Sequence, residues 1–143
     1  NYPHPKGRTT IAGIIVVLGF ASWPLLLVFF SVNWRVLEVL RVKAANSWGR
    51  NDAIAKPAIV VRMEHAHFNC LENLPIFATL VFAAYLLNKN AVVDGLACYV
   101  LYLRVAQSVT HLLGTSHLLV LARATFFTLQ VLMFFYMFWK LLA

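Results

Sequence analysis

Apolar residues dominate four long stretches of the chain, and short polar segments separate them. These stretches lie at about residues 10–45, 57–87, 92–113 and 117–142. Each is close to the roughly 20 apolar residues that a helix needs to cross a hydrocarbon layer of about 30 Å. The apolar run at 11–32 is longer than the core of about 7–15 residues in a signal peptide, so we interpret it as a retained helix. The pattern predicts an all-α protein, with residues 1–143 forming a single integral membrane domain, a bundle of four transmembrane helices.

Composition supports lipid as the solvent of this domain. Hydrophobic residues make up 62% of the 143 residues and charged residues only 12%, whereas soluble domains carry about 25% charged residues. The mean hydropathy is +0.76. A net charge of +7 is compatible with nucleic-acid binding, but the 12 Lys and Arg residues are scattered singly among apolar runs. Because no basic stripe forms, we expect no nucleic-acid partner.

The distribution of positive residues predicts an orientation in the membrane. Four spans place both termini and the 88–90 turn on one side, with four Lys and Arg residues, and the 46–57 loop on the other side, with six. Cytoplasmic segments carry the excess of positive residues. We therefore predict that the 46–57 loop is cytoplasmic and that both termini lie outside. The six residues on the loop side are Arg35, Arg41, Lys43, Arg50, Lys56 and Arg62.

The second predicted helix carries the densest set of polar residues. At 100° per residue, five of them fall within a sector of about 100°, which makes one stripe on one face. Residues 74–87 are almost entirely apolar, so the stripe occupies only the half nearer the 46–57 loop. A charged residue inside a span costs about 2.5–3.5 kcal/mol and is usually paired, inward-facing and functional. The stripe consists of Arg62, His65, Asn69, Glu72 and Asn73.

The other three helices place polar residues at the same depth. On the third helix four of them share one face near its C-terminal end, and on the fourth Arg123 lies about two turns from the start, on a face with Phe126, Phe127 and Gln130. Arg35 and Arg41 close the first helix. This coincidence predicts a cavity that opens to the cytoplasm and binds an anionic ligand. The four residues of the third helix are Arg104, Gln107, Ser108 and His111.

Structural roles for the same residues remain open. Arginines near the end of a span can extend their charged groups to the interface. Glu72 can pair with an arginine of a neighbouring helix, and Asn69 can hydrogen-bond between helices.

The pair Glu64-x-x-His67 raises the possibility of a metal site. A di-iron carboxylate bundle needs Glu-x-x-His on two helices and a Glu on each of two others. Only one such pair occurs, and the other helices offer just Glu38 and Asp94. We therefore predict no metal site and place His67 at a lipid or subunit contact. The sequence also contains no phosphate loop, dinucleotide motif or nucleophile–base pair, so the reactive group of an enzyme would arrive with its ligand.

The segment from Arg62 to Phe77 resembles the signature of the MAPEG family, the membrane-associated proteins of eicosanoid and glutathione metabolism. At its centre is His-Ala-His-Phe-Asn-Cys-Leu-Glu-Asn-Leu-Pro-Ile-Phe, with the spacing Asn-Cys-x-Glu-x-x-Pro-x-Phe. Residues 104–111 and 123–128 look like the third and fourth helices of that family. The size of the chain and its four predicted helices agree with the resemblance as well.

The resemblance implies a homotrimer that binds glutathione, as a co-substrate, between adjacent subunits. Asn69 and Glu72 would hold the backbone and the amino group of the peptide, and Arg41, with Arg62 or Arg104, its carboxylates. Arg123 would be the catalytic residue that stabilises the thiolate. Three further residues occupy positions of the family's ligand cradle, namely His65, Gln107 and His111.

Two functions follow from the resemblance. The first is a glutathione-dependent transferase or peroxidase acting on lipophilic substrates that arrive from the bilayer. The second is a non-catalytic protein that binds lipid or serves as an accessory subunit of a larger membrane complex. The second stays open because several positions lack a hydroxyl or a permanent charge found in family enzymes: His65, Asn73, Gln107, His111, Ala124 and Phe127. A channel or transporter is disfavoured, since four short helices show no repeat symmetry.

Overall fold

A computed structural model describes residues 12–41 and 57–143. Within these ranges the chain forms four α-helices, and each of them is long and apolar enough to cross a membrane. This confirms the predicted all-α fold with four transmembrane helices. In chain order the helices are α1 (Ala12–Leu40), α2 (Ala58–Leu86), α3 (Ala91–Leu113) and α4 (His117–Leu142).

The observed helix ends agree closely with the apolar pattern. The bounds of α4 are those predicted from the sequence, those of α2 differ by one residue at each end, and those of α3 by one residue at its start. By contrast, α1 ends at Leu40, and Arg41 lies in a turn. Residues 10, 11 and 42–45 of the first predicted helix lie outside the described residues, as does most of the 46–57 loop. Its cytoplasmic location therefore stays a prediction.

Two short turns make consecutive helices antiparallel. Between α2 and α3 the chain turns at Asn88, whose φ is 56°, a left-handed conformation that Asn tolerates better than most residues. Between α3 and α4 it turns at Gly114, whose φ is 156°. Only glycine adopts that conformation readily. These two residues therefore favour tight reversals, so that α3 packs along α4.

The apolar core lies where the four helices meet. Phe77 of α2 lies between two other rings, with centroids 5.7 Å from Phe20 of α1 and 6.0 Å from Phe134 of α4. From α3, Val93, Ala97 and Val100 are fully buried against this cluster. Their spacing of four and three residues puts them on one helical face. The core thus joins all four helices into one bundle.

Pro24 lies inside α1, and a histidine of α2 contacts its carbonyl group. Proline has no backbone N–H, so it interrupts the helical hydrogen bonds, which packed neighbours can compensate in a membrane helix. Pro24 is buried, and the Nδ1 atom of His67 lies 2.8 Å from its carbonyl oxygen. The predicted role of His67 at a lipid or subunit contact missed this intramolecular hydrogen bond between α1 and α2.

Polar contacts between helices concentrate at one end of the bundle, which we call the arginine end. Arg35 of α1 forms an ion pair with Glu64 of α2, and the Nε of Arg62 donates to the carbonyl oxygen of Leu112 in α3 over 3.0 Å. At this end too, the guanidinium of Arg123 contacts a side chain of α3. The arginine end is therefore formed by the C-terminal parts of α1 and α3 and the N-terminal parts of α2 and α4.

The opposite end, which we call the Asp94 end, is tied together by one carboxylate. Asp94 Oδ1 accepts hydrogen bonds from the backbone N–H of Gly13, over 2.8 Å, and from the hydroxyl of Tyr85, over 2.9 Å. Its Oδ2 accepts from Asn90 Nδ2 over 3.0 Å. Asp94 thus links the start of α1, the end of α2 and the start of α3.

Replacing Asp94 is expected to destabilise the bundle. Asp94→Ala leaves three donors without their acceptor, and it should lower the free energy of unfolding by about 2–3 kcal/mol. Tyr85→Phe removes one donor and should cost about 1 kcal/mol. Because the two residues share a hydrogen bond, the double variant should lose less than the sum of the single losses. Reversible unfolding in mixed micelles measures all three values, and strict additivity would contradict the direct contact.

Candidate functional site

The candidate site is built around Arg104, a charged residue at the centre of the bundle. Arg104 is fully buried on α3. Its Nη1 donates to the backbone carbonyl oxygen of Asn69 over 3.2 Å, and its Nη2 donates to Oε1 of Gln130 over 2.6 Å. Its guanidinium carbon lies 5.5 Å from the ring centroid of Phe20. One guanidinium therefore contacts α1, α2 and α4 from α3.

Next to Arg104 a groove opens between α2, α3 and α4. Gln107 and His111 follow Arg104 by three and seven residues, so they continue the same face of α3 toward the arginine end. The groove has a volume of about 390 Å³, within the range of about 300–1,000 Å³ that is typical of small-ligand sites. Its lining residues are Asn69, Glu72, Gln107, His111, Val120, Arg123, Ala124 and Phe127.

Arg123 is the positive group of the groove, and an imidazole orients it. Its Nη1 donates to Nδ1 of His111, which is buried at the end of α3. The edge of the His65 ring packs against His111, with centroids 5.9 Å apart. A nitrogen that accepts a hydrogen bond carries no proton, so this contact requires Nδ1 of His111 to be unprotonated. The three side chains form a continuous row from α2 through α3 to α4.

The wall of the groove formed by α2 supplies hydrogen-bond acceptors. Glu72 is exposed, and it forms no ion pair with any residue in the described parts of the chain. Asn69 lies one turn earlier on the same wall and is half-buried. The groove therefore presents a carboxylate and an amide opposite a guanidinium, and this arrangement complements a ligand that carries both charges.

The structure brings together five of the nine residues that the sequence assigns to a ligand site. These five line the groove: Asn69, Glu72, Gln107, His111 and Arg123. The other four, Arg41, Arg62, His65 and Arg104, do not line it.

Arg104 is buried in the structure, and its guanidinium is enclosed by protein atoms behind the groove. A ligand contact by Arg104 stays a prediction. Arg62 is engaged by the carbonyl of Leu112, and His65 packs against the back of His111. The side chain of Arg41 is 71% exposed and lies 3.7 Å from the carboxylate of Glu38. Ligand contacts by Arg41, Arg62 and His65 stay predictions.

Some features of the site were not predicted from the sequence. Val120 lines the groove. The helical spacing of residues 120, 123, 124 and 127 on α4 is the sequence feature that could have identified it. The sequence predicts Gln130 on the same face of α4 as Arg123. In the structure its side chain is fully buried and accepts a hydrogen bond from Arg104. The ion pair of Arg35 with Glu64, which also involves the hydroxyl of Ser31 at 3.3 Å, was likewise not predicted.

Among the described residues no three His, Cys, Asp or Glu side chains are grouped closely enough to hold a metal ion. Glu64 pairs with Arg35, and His67 bonds to a backbone carbonyl, so these two side chains are engaged separately. The groove itself offers a guanidinium, a carboxylate, two amides and an imidazole.

Comparison with known proteins identifies the family. No curated protein and no solved structure matches the chain. The profile of the MAPEG family, however, matches residues 11–143, which is nearly the whole chain. Its members are integral membrane proteins, in agreement with the four helices that can cross a membrane. The chain is therefore a multi-pass integral membrane protein that belongs to the MAPEG family.

Proposed function

We propose that this protein is a glutathione-dependent transferase or peroxidase that acts on lipophilic substrates. The observation that carries the proposal is the groove, in which the guanidinium of Arg123 lines the same cavity as the carboxylate of Glu72 and the amide of Asn69. Family membership makes a MAPEG-like membrane protein the starting point. The polar groups of the groove favour glutathione as its ligand.

Glutathione offers partners for four of the five polar side chains of the groove. Its ammonium group suits the carboxylate of Glu72, which forms no ion pair with any described residue. Its peptide groups suit the amides of Asn69 and Gln107, which can both donate and accept hydrogen bonds. Its thiolate suits Arg123. An anion without an ammonium group would leave Glu72 uncompensated, so a zwitterionic peptide fits the groove better.

Arg123 would activate the bound thiol by stabilising its charged form. A thiol with a pKa of about 8.5 is only a few per cent ionised at pH 7. A neighbouring guanidinium that lowers the pKa of the glutathione thiol by about two units contributes about 2.7 kcal/mol to the thiolate. His111 holds the guanidinium before the ligand arrives. Such pre-orientation is what makes electrostatic stabilisation effective.

The other wall of the groove is apolar and suits a lipophilic second substrate. Val120, Ala124 and Phe127 lie on the face of α4 that carries Arg123. All three are exposed at the surface of the bundle, and the exposed fraction of Phe127 is 41%. A substrate from the bilayer can therefore approach along Phe127 while the thiolate is held at Arg123. The thiolate then attacks an electrophilic carbon, and a C–S bond forms as a leaving group departs or as a double bond takes up the electron pair. With a peroxide it attacks oxygen and the O–O bond breaks, which gives an alcohol and a glutathione sulfenic acid that a second glutathione converts to the disulfide and water.

A homotrimer is part of the proposal, because the MAPEG resemblance implies three copies and because one chain leaves the groove incompletely covered. An exposed carboxylate within a span, such as that of Glu72, costs about 2.5–3.5 kcal/mol unless it is paired or covered. A second copy packed over the groove would exclude lipid from Glu72. It would also bring the exposed Arg41 of one copy within reach of a ligand that is held by another.

One observation favours the non-catalytic alternative. Arg123 already has a partner in His111, and the positions after it are Ala124 and Phe127, which offer no hydroxyl group to a thiolate. In that case the groove would bind lipid, or the protein would be an accessory subunit of a larger membrane complex. Stoichiometric partners in mild detergent, without turnover of glutathione, would support this alternative.

The role of Arg123 can be tested by the ultraviolet absorbance of the thiolate. Glutathione mixed with the purified protein at pH 7 should give thiolate absorbance in the wild type and in Arg123→Lys, which keeps the charge. Arg123→Ala should return the thiolate to the few per cent of the free peptide. His117→Ala, at an exposed position outside the groove on the same helix, is the control. Absence of thiolate from the wild type would rule out the catalytic proposal.

The role of Glu72 can be tested by binding. Glu72→Gln removes a charge-assisted hydrogen bond, so the Kd for glutathione should rise about ten- to hundredfold, while the thiolate fraction at saturation stays unchanged. Titration calorimetry gives the Kd. Asp94→Asn changes a carboxylate at the opposite end of the bundle. The Kd of this variant for glutathione, calculated with the concentration of folded protein, should equal that of the wild type. An equal effect of both variants would show that Glu72 acts through stability alone.

The proposed homotrimer can be tested by measuring the mass of the complex. Native mass spectrometry of the purified protein should give three copies of the chain. Glu72→Leu replaces the carboxylate with an apolar group that needs no covering, so its monomer should be the more stable species in lipid. A wild type that remains monomeric in bilayer nanodiscs would contradict the trimer.

A further inference from the structure

A second groove lies between α3 and α4, and it is lined mainly by apolar residues. It consists of two adjoining cavities of about 590 and 520 Å³, which share Leu96 and Tyr136. The larger cavity runs along Tyr99 and Leu103 of α3 and along Leu132 of α4. The smaller one continues toward the Asp94 end.

The mouth of this groove carries one cation. Lys140 lines the smaller cavity, and its ammonium lies 5.1 Å from the ring centroid of Trp139 and 5.9 Å from that of Tyr136. No described carboxylate pairs with it. A second cation lies close by, because Nζ of Lys89 donates to the carbonyl of Leu141 over 3.1 Å. The nearby carboxylate of Asp94 is engaged by Gly13, Tyr85 and Asn90.

This groove is distinct from the proposed glutathione site. Arg123 and Leu132 are nine residues apart on α4, as are Phe127 and Tyr136. Nine residues are two and a half turns of a helix with about 3.6 residues per turn. The two grooves therefore lie on opposite faces of α4.

The length of the groove suits the chains of a lipid. From Ala91 to Ala106 on α3 it extends over 15 helical steps, about 22 Å at the helical rise. One leaflet of the bilayer is about 15 Å deep, half of the hydrocarbon layer. Acyl chains that begin at the level of Lys140 can therefore lie in the groove along their whole length.

We propose that the groove between α3 and α4 binds an anionic phospholipid, with its phosphate at Lys140 and its acyl chains along the tyrosine and leucine side chains. Charge complementarity decides the headgroup, because Lys140 has no described carboxylate partner, whereas Nζ of Lys89 is engaged by the carbonyl of Leu141. A zwitterionic headgroup would bring its own cation to the same place. A lipid that fills both cavities has its phosphate in the smaller one, at Lys140, and its acyl chains along the larger one.

Gly95 allows the groove to be blocked without disturbing the packing of the bundle. It lines the smaller cavity, and a Cβ added at this position would meet no atom within 4 Å. Gly95→Phe therefore places a ring in the groove. Thr128→Phe adds the same ring to an exposed position of α4 that lines none of the grooves described, so it is a matched control.

The experiment is a lipid competition read by native mass spectrometry on the whole chain. Phosphatidylglycerol and phosphatidylcholine with the same acyl chains are offered at equal concentration, and oleate is offered in a separate arm. The wild type and Lys140→Arg should retain phosphatidylglycerol about fivefold over phosphatidylcholine, the preference expected for one lysine near an anionic lipid. Lys140→Gln should reduce the ratio to about one. Gly95→Phe should abolish retention of both lipids, and Thr128→Phe should behave as the wild type.

Three results would overturn the proposal. They are equal retention of the two lipids by the wild type, a preference that survives Lys140→Gln, and a Gly95→Phe variant that binds lipid normally. Stronger retention of oleate than of phosphatidylglycerol would assign the groove to a fatty acid instead, which also contradicts the proposal. Circular dichroism and elution volume verify that each variant is folded. None of these measurements involves glutathione, so their outcome is independent of the proposed reaction.

Discussion

The burial of one guanidinium determines how the four helices are arranged. Arg104 is fully buried, and removing a charge from water costs several kcal/mol unless its hydrogen bonds are replaced. The replacements for Nη1 and Nη2 come from a carbonyl on α2 and an amide on α4, and the ring of Phe20 on α1 covers one face. The Nε atom has no hydrogen-bond partner among the described residues. A helix that shifted by one residue would remove a partner from this charge. The register between α2, α3 and α4 is therefore restricted more tightly than apolar packing alone would require.

The same constraint explains the different character of the two ends of the bundle. Toward the arginine end, α3 continues from Arg104 into Gln107 and His111, and the helices leave a polar groove between them. Toward the other end the core closes with Phe77 and Phe134, and Asp94 connects three helix ends. One end is thus suited to binding, and the other holds the helices together.

Periodicity predicts most of the fold and part of the site. Apolar runs gave the helices to within a residue at most of the described ends, because the length of a membrane span is set by the bilayer. A helical wheel also placed Asn69 and Glu72 on one face, and Gln107 and His111 on another, as observed.

A helical wheel cannot distinguish an arginine in the core from an arginine in a groove. Arg104 and Arg123 look alike in the sequence, yet Arg104 is enclosed because Gln130, 26 residues away, provides an acceptor. Arg62 similarly finds the carbonyl of Leu112, 50 residues away. These pairings depend on the distances between helices, which a single sequence does not specify. For the same reason the groove between α3 and α4, made of ordinary apolar residues, carries no signal in the sequence.

The bond between Arg104 and α2 has a consequence for how this protein can change through evolution. Its acceptor is the peptide oxygen of residue 69, an atom that every amino acid possesses, whereas the side chain of the same residue points toward the groove. Substitutions at position 69 can therefore alter what is recognised and still leave the internal anchor in place. A change at Arg104 or Gln130 has no such freedom, since each depends on the other's side chain. Selection can diversify the cavity while it keeps the scaffold unchanged.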